Sequence, residues 1–153
     1  MQTFLPFDDF HKSAEVLDYR RLGKQRVEAK QILQILLGDS KGSGWKNHPA
    51  VLMWKGFEAA LAWYGSIICA KWIQCGYKDQ TRSYFSDYLD TLFVPLNGGD
   101  GSHLEIYVPP WLGNEEFHAS HRSNLLRKDP EHYGQFGWKE PMDLPYVWPV
   151  RKS

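Results

Sequence analysis

The chain has 153 residues, a length that suits one domain with an adequate core. Hydrophobic residues make up 42% and aromatic residues 15%, which excludes a disordered chain. Lys plus Arg balance Asp plus Glu at 18 each, so any nucleic-acid site must come from local clustering of charge and not from a basic chain overall.

No run of 18 apolar residues marks a membrane span, and MQTFLPFDDF lacks the basic and apolar regions of a signal peptide. A cytoplasmic protein of a bacterium or its phage is expected, as a monomer. Cys69 and Cys75 fit no common zinc spacing and are expected as free, buried thiols.

In chain order, residues 1–10 read as an extended arm, because Pro6 opposes a helix and Phe4, Leu5 and Phe7 can pin it to the core. Ser13 is an expected N-cap. The stretch Leu17–Leu37 then reads as one long helix that could bend at Gly23, with Gly38 at its end. Leu22, Ala29, Ile32, Leu33 and Leu36 form its core stripe. Arg20, Arg21, Lys24, Glu28 and Gln31 share another side, a cationic ridge with one carboxylate in it. Such a ridge can hold phosphates and do acid–base work, or can be a solvated face with routine ion pairs.

Pro49 is expected to open a long, mostly buried central helix that runs to Cys75. An amphipathic helix follows over about Gln80–Phe93. NGGDGS reads as a loop, and HLEIYV as extended chain without a strand partner. Asn114 caps a fourth helix, EEFHASHRSNLLRK, which brings His118, His121, Arg122, Arg127 and Lys128 as candidate DNA contacts. His118 and His121 lack the HExxH spacing, so no metal and no cofactor are expected. The tail, with Trp138, Tyr146 and Trp148 among three prolines, reads as an extended strap. The expected fold is therefore all-α, a compact domain over 1–153 of about four helices around a long buried central one, with an aromatic C-terminal tail.

Several segments resemble the pyrimidine-dimer DNA glycosylase/AP lyase family, the small all-helical endonuclease V type. They are Asp18-Tyr19-Arg20-Arg21-Leu22 followed by Gly23 and Lys24, and the helix end Cys75-Gly76-Tyr77-Lys78-Asp79. MQTFLP, RLGKQRVE, HPAVLMWKG, SHRSNLLRKDPEHY and LPYVWPV are similar to a bacterial and phage subgroup of it. The resemblance implies damaged double-stranded DNA as the substrate. It also implies an N-terminal amine that attacks the sugar C1′ to form a Schiff base, with a carboxylate of the first helix assisting. The family's catalytic Glu falls on Arg21, its N-terminal Thr on Gln2 and the next Arg on Thr3. Met1 or Gln2 is thus the candidate amine, and Glu28, about 10 Å further along the helix, is the candidate carboxylate. Arg20, Arg21 and Lys24 are the expected phosphate contacts. Two alternatives stand beside this reading. One is a DNA-binding module without chemistry. The other is an enzyme that uses Glu28, His118 and His121 on a different base or nucleotide.

Overall fold

A computed structural model describes residues 1–39, 44–95, 102–103 and 106–150. The chain is helical in the order α1 (Phe10–Val16), α2 (Tyr19–Leu36), α3 (Pro49–Leu52), α4 (Glu58–Gln74), α5 (Arg82–Asp90), α6 (Glu115–Lys128) and α7 (Pro130–Tyr133). Most of NGGDGS lies outside the described residues. HLEIYV was expected to lack a partner, yet Ser102–His103 pairs antiparallel with Val94–Pro95 in a two-residue ladder.

The first expected helix is two. Asp18 interrupts it and caps α2, its carboxylate accepting from the Arg21 N–H at 3.4 Å. Ser13 is not a cap. It lies inside α1, and its hydroxyl bonds the backbone of Phe7. The break is held from far along the chain. The Tyr133 hydroxyl accepts from the Asp18 N–H at 3.1 Å and donates to the Asp18 carboxylate. The His132 Nε2 meets the Val16 carbonyl at 2.8 Å. These bonds satisfy backbone groups that a continuous helix would have paired internally.

The expected central helix is likewise divided. α3 is a single turn, and Gly56, at φ 88°, turns the chain in the left-handed region before α4 begins. α4 is still the centre of the core, burying Ala60, Leu61, Ala62, Tyr64, Ile68 and Cys69. Cys75, expected to be buried, is the exposed C-cap of α4. α2 packs against α4, and a Cβ on Gly23 would lie 2.9 Å from the Trp72 indole, so the helices meet where Gly23 has no side chain. α6 spans the expected residues, with the Asn114 carboxamide accepting from the Phe117 N–H at 3.0 Å.

Residues 1–7 cross this body as an extended arm with no neighbouring strand among the described residues. Its backbone groups are paired by side chains instead. Gln25 takes Gln2 and Phe4, Tyr64 takes Phe4, His118 and His121 take Leu5, Arg122 takes Pro6, and Ser13 takes Phe7. The Trp54 indole N–H adds a bond to the Thr3 hydroxyl at 3.0 Å. Among the described residues no helix is long and apolar enough to cross a membrane.

Candidate active site at the N-terminal arm

The arm, the first half of α2 and the end of α6 enclose an open cleft of about 920 Å³. Its walls include Met1, Gln2, Asp18, Arg20, Arg21, Lys24, Gln25, Glu28, Lys128, Asp129, His132 and Tyr146. The cationic ridge of α2 and the N-terminus therefore line the same cleft.

Glu28 is the focus. Its side chain is 14% exposed, and its carboxylate accepts from the Gln25 amide at 2.8 Å. Lys24 stands 3.9 Å away. Burial raises the Glu28 pKa. Lys24, the α-amine of Met1, the Gln2 backbone and the Gln25 amide pull it back without cancelling the rise. A carboxyl shifted upward by burial in a cleft is a candidate for proton transfer.

Gln25 is the residue that sequence reasoning missed. It is 1% exposed, and its amide joins the arm to the carboxylate. Its Nε2 donates to the Gln2 carbonyl at 2.9 Å and to Glu28, while its Oε1 accepts from the Phe4 N–H at 2.9 Å and the Tyr64 hydroxyl at 2.8 Å. The available signal was its position. Gln25 lies three residues after Leu22 and four before Ala29, inside the apolar stripe, where an amide must be matched by partners.

The rim is cationic. Arg20 is exposed, its Nε donating to the Tyr19 hydroxyl at 3.2 Å, and the Lys24 side chain is 74% exposed. Arg21 pairs with Asp18 at 3.1 Å. Burial alone would raise the Asp18 pKa, but hydrogen bonds from Tyr133 and Arg21 outweigh it and hold the carboxyl below its usual range. Lys128 enters from the end of α6, and Arg127 beside it donates to the Met142 carbonyl at 3.1 Å and to Asn124.

His118, His121 and Arg122 do not join this surface, which corrects their expected place among the DNA contacts. They are 2%, 0% and 8% exposed. His118 Nδ1 donates to the Leu5 carbonyl at 2.8 Å, and its Nε2 accepts from the Gly113 N–H at 2.9 Å. His121 Nδ1 accepts from the Leu5 N–H at 2.9 Å. Burial lowers the pKa of both, that of His121 to about 3, so both rings are neutral clamps on the arm. Arg122 donates to the Pro6 carbonyl at 2.7 Å and to Glu140 at 2.6 Å, and it also pairs with Glu115. The imidazoles of His118 and His121 face the arm's backbone and not the cleft that holds Glu28. Among the described residues no group of three or more His, Cys, Asp or Glu could hold a metal ion.

No curated protein and no solved structure matches the chain. The family model described as pyrimidine dimer DNA glycosylase matches residues 1–85, which include the arm, α2 and Glu28 but not α6. That match supports a glycosylase-like role in DNA repair, with DNA as the substrate. By its sequence, and with the arm and the ridge of α2 inside the matched region, the chain belongs to the pyrimidine dimer DNA glycosylase family.

Proposed function

We infer that the cleft excises a damaged or modified base from double-stranded DNA and then cuts the strand, through a Schiff base on the α-amine of Met1 with Glu28 as its carboxylate. The observation that carries this reading is the approach of the arm to Glu28, with the Gln25 amide donating both to the Gln2 carbonyl at 2.9 Å and to the Glu28 carboxylate at 2.8 Å, and with Met1, Gln2 and Glu28 lining one cleft. An α-amine has an ordinary pKa of about 7.7–8.0, so a useful fraction is a neutral nucleophile at neutral pH.

The amine lone pair attacks C1′, and the bond from C1′ to the base breaks, its electrons leaving with the base, which gains a proton. The sugar ring opens as its oxygen takes a second proton, leaving an iminium at C1′. Glu28 as carboxylate then removes a C2′ proton, and the C3′–O bond breaks with the phosphate as leaving group. Water finally releases the amine. Arg20, Arg21, Lys24 and Lys128 hold the backbone phosphates of the kinked duplex, and the base is extruded at a cost of a few kcal/mol, less at a lesion.

The test is borohydride trapping on duplexes carrying a thymine dimer or an abasic site, with the N-terminal mass measured first. A covalent complex on the dimer duplex is expected, and it should disappear when the α-amine is acetylated. Glu28→Gln should lower strand cutting by about 100-fold or more while duplex binding persists. Strand cutting at the wild-type rate in Glu28→Gln, or the absence of any complex, would overturn the reading.

One observation favours a second reading. Arg21, at the position of the family's catalytic Glu, is committed to Asp18. A DNA-binding module that keeps the cleft without chemistry would bind the same duplexes in a salt-dependent way and trap neither.

A further inference from the structure

Two carboxamides line the cleft with Glu28, and only one of them is fully bonded. Gln25 is engaged at both ends, its Nε2 by the Gln2 carbonyl and Glu28, its Oε1 by the Phe4 N–H and the Tyr64 hydroxyl. Gln2 is engaged at one. Its Oε1 accepts from the Thr3 N–H at 2.9 Å, and a donor at that end fixes which way the amide is turned. The other end, Nε2, is buried with no hydrogen-bond partner, in a side chain whose residue is 6% exposed. Among the described residues four buried side-chain atoms are left in this state. Of these, only the Gln2 Nε2 belongs to a residue that lines the cleft.

A buried donor without an acceptor is costly to a fold, and the bond it lacks is one that a ligand can supply. The place of Gln2 indicates which ligand atom that is. Gln2 directly follows Met1, whose amine attacks C1′ in the reading above. Its backbone carbonyl also shares the Gln25 Nε2 with the Glu28 carboxylate, at 2.9 and 2.8 Å. With C1′ at the amine, the acceptor of a pyrimidine closest to the sugar is O2, the carbonyl oxygen beside the glycosidic nitrogen. Phosphates are matched by the cations of the rim, whereas a neutral amide suits a neutral carbonyl that gains charge during the reaction.

We propose that the Gln2 carboxamide is a catalytic donor of this cleft, its unpartnered N–H groups binding O2 of a pyrimidine and stabilising the charge that builds there as the base departs. The C1′–N1 bond breaks with its electron pair going to N1, and conjugation through C2 spreads that charge onto O2. Gln2 gives up no proton, and the one that the base finally takes comes from water. A donor fixed in advance at the developing charge, in a site screened from water, lowers the barrier without reorganising. The substrate class follows as a base with a carbonyl next to its glycosidic nitrogen. Thymine and cytosine carry one, each base of a thymine dimer keeps it, and adenine and guanine lack it.

The inference rests on the base-excision reading of the cleft, and the two can fail separately. The experiment uses the full chain, with its N-terminal mass measured, and compares rates of borohydride trapping on the dimer and abasic duplexes. A base departs from the first duplex and none from the second. Gln2→Met removes the donor at similar size, and Gln2→Glu removes it while keeping an oxygen for the Thr3 N–H. Both variants should trap the dimer duplex about tenfold or more slower than the wild type, and the abasic duplex within about threefold of it. An unchanged rate on the dimer duplex, or an equal loss on both duplexes, which would make Gln2 only a support of the arm, would overturn the proposal and leave base excision through Met1 standing. Wild-type trapping of the abasic duplex alone would also overturn it, since no pyrimidine would then depart, and would leave the amine chemistry of Met1 standing. Absence of trapping by the wild type on either duplex would overturn both.

Discussion

Replacing Gln25 by Leu removes the amide that joins the arm to Glu28 while keeping most of its volume. Three groups lose a partner: the Phe4 N–H, the Gln2 carbonyl and the Glu28 carboxylate. Tyr64 does not, because its one hydroxyl proton still has the Phe4 carbonyl at 2.9 Å. Each orphaned buried backbone group costs about 1–3 kcal/mol, so the two together cost about 4 kcal/mol. The loss at Glu28 adds little, since a side chain 14% exposed can recruit water. With a typical urea m value of about 2 kcal/mol/M, the unfolding midpoint should fall by about 2 M. The Gln25 hydrogen bond also lowers the Glu28 pKa, so its removal should move that carboxyl further up, which NMR titration reads directly. Trapping on the dimer duplex should fall more steeply than stability does, because the arm loses its register against Glu28. A midpoint shift below about 0.5 M, or an unmoved Glu28, would refute the reasoning, since either result means that the arm is not held by this amide.

Gly23→Ala should destabilise despite a gain of about 1 kcal/mol in helix propensity, because overpacking against Trp72 costs about 1–3 kcal/mol. The indole cannot swing aside easily, with the Tyr77 ring stacked 4.2 Å away and the Arg26 guanidinium 4.4 Å from its ring. Thermal melts read the sign, and a higher Tm in the variant would refute the close approach. Stability should also fall on acidification. His121 titrates at about 3 when folded, below its ordinary 6.5, so the unfolded chain binds the extra proton. Its contribution is present in full above pH 6.5 and is lost as pH falls toward 3, at about 1 kcal/mol per unit. His118 acts in the same direction. Urea midpoints from pH 7 to 4 should show a shallower fall in His121→Gln, and an unchanged slope would refute this account.

Some of this molecule could be read in its sequence, and the reasons are local. α6 was legible because Asn114 caps it, two acidic residues fill its first turn and the Asp129-Pro130 step ends it. The cationic face of α2 and its single carboxylate followed from helical spacing alone. The break at Asp18 was not legible, because no Gly or Pro lies between Val16 and Tyr19. It is imposed by His132 and Tyr133, more than 110 residues away, and such bonds leave no local trace. Gly56 was a readable signal for the division of the central helix, but the apolar run around it outweighed one glycine. The two histidines of α6 misled for a similar reason. A polar pair beside arginines reads as a surface, whereas here each ring is buried on the backbone of Leu5. Nothing in the local sequence of α6 indicates that a strandless arm, more than 100 residues earlier, needs side-chain partners.

That arm has a consequence for how the protein is made. Residues 1–7 precede every helix in the sequence, yet they are among the last that can be placed, because their partners extend to Arg122. Contacts this distant in sequence close late in folding, after local helices have formed. Until α6 docks, the arm lacks the side chains of His118, His121 and Arg122 that pair its backbone at Leu5 and Pro6, and the cleft beside Glu28 lacks the wall that α6 supplies.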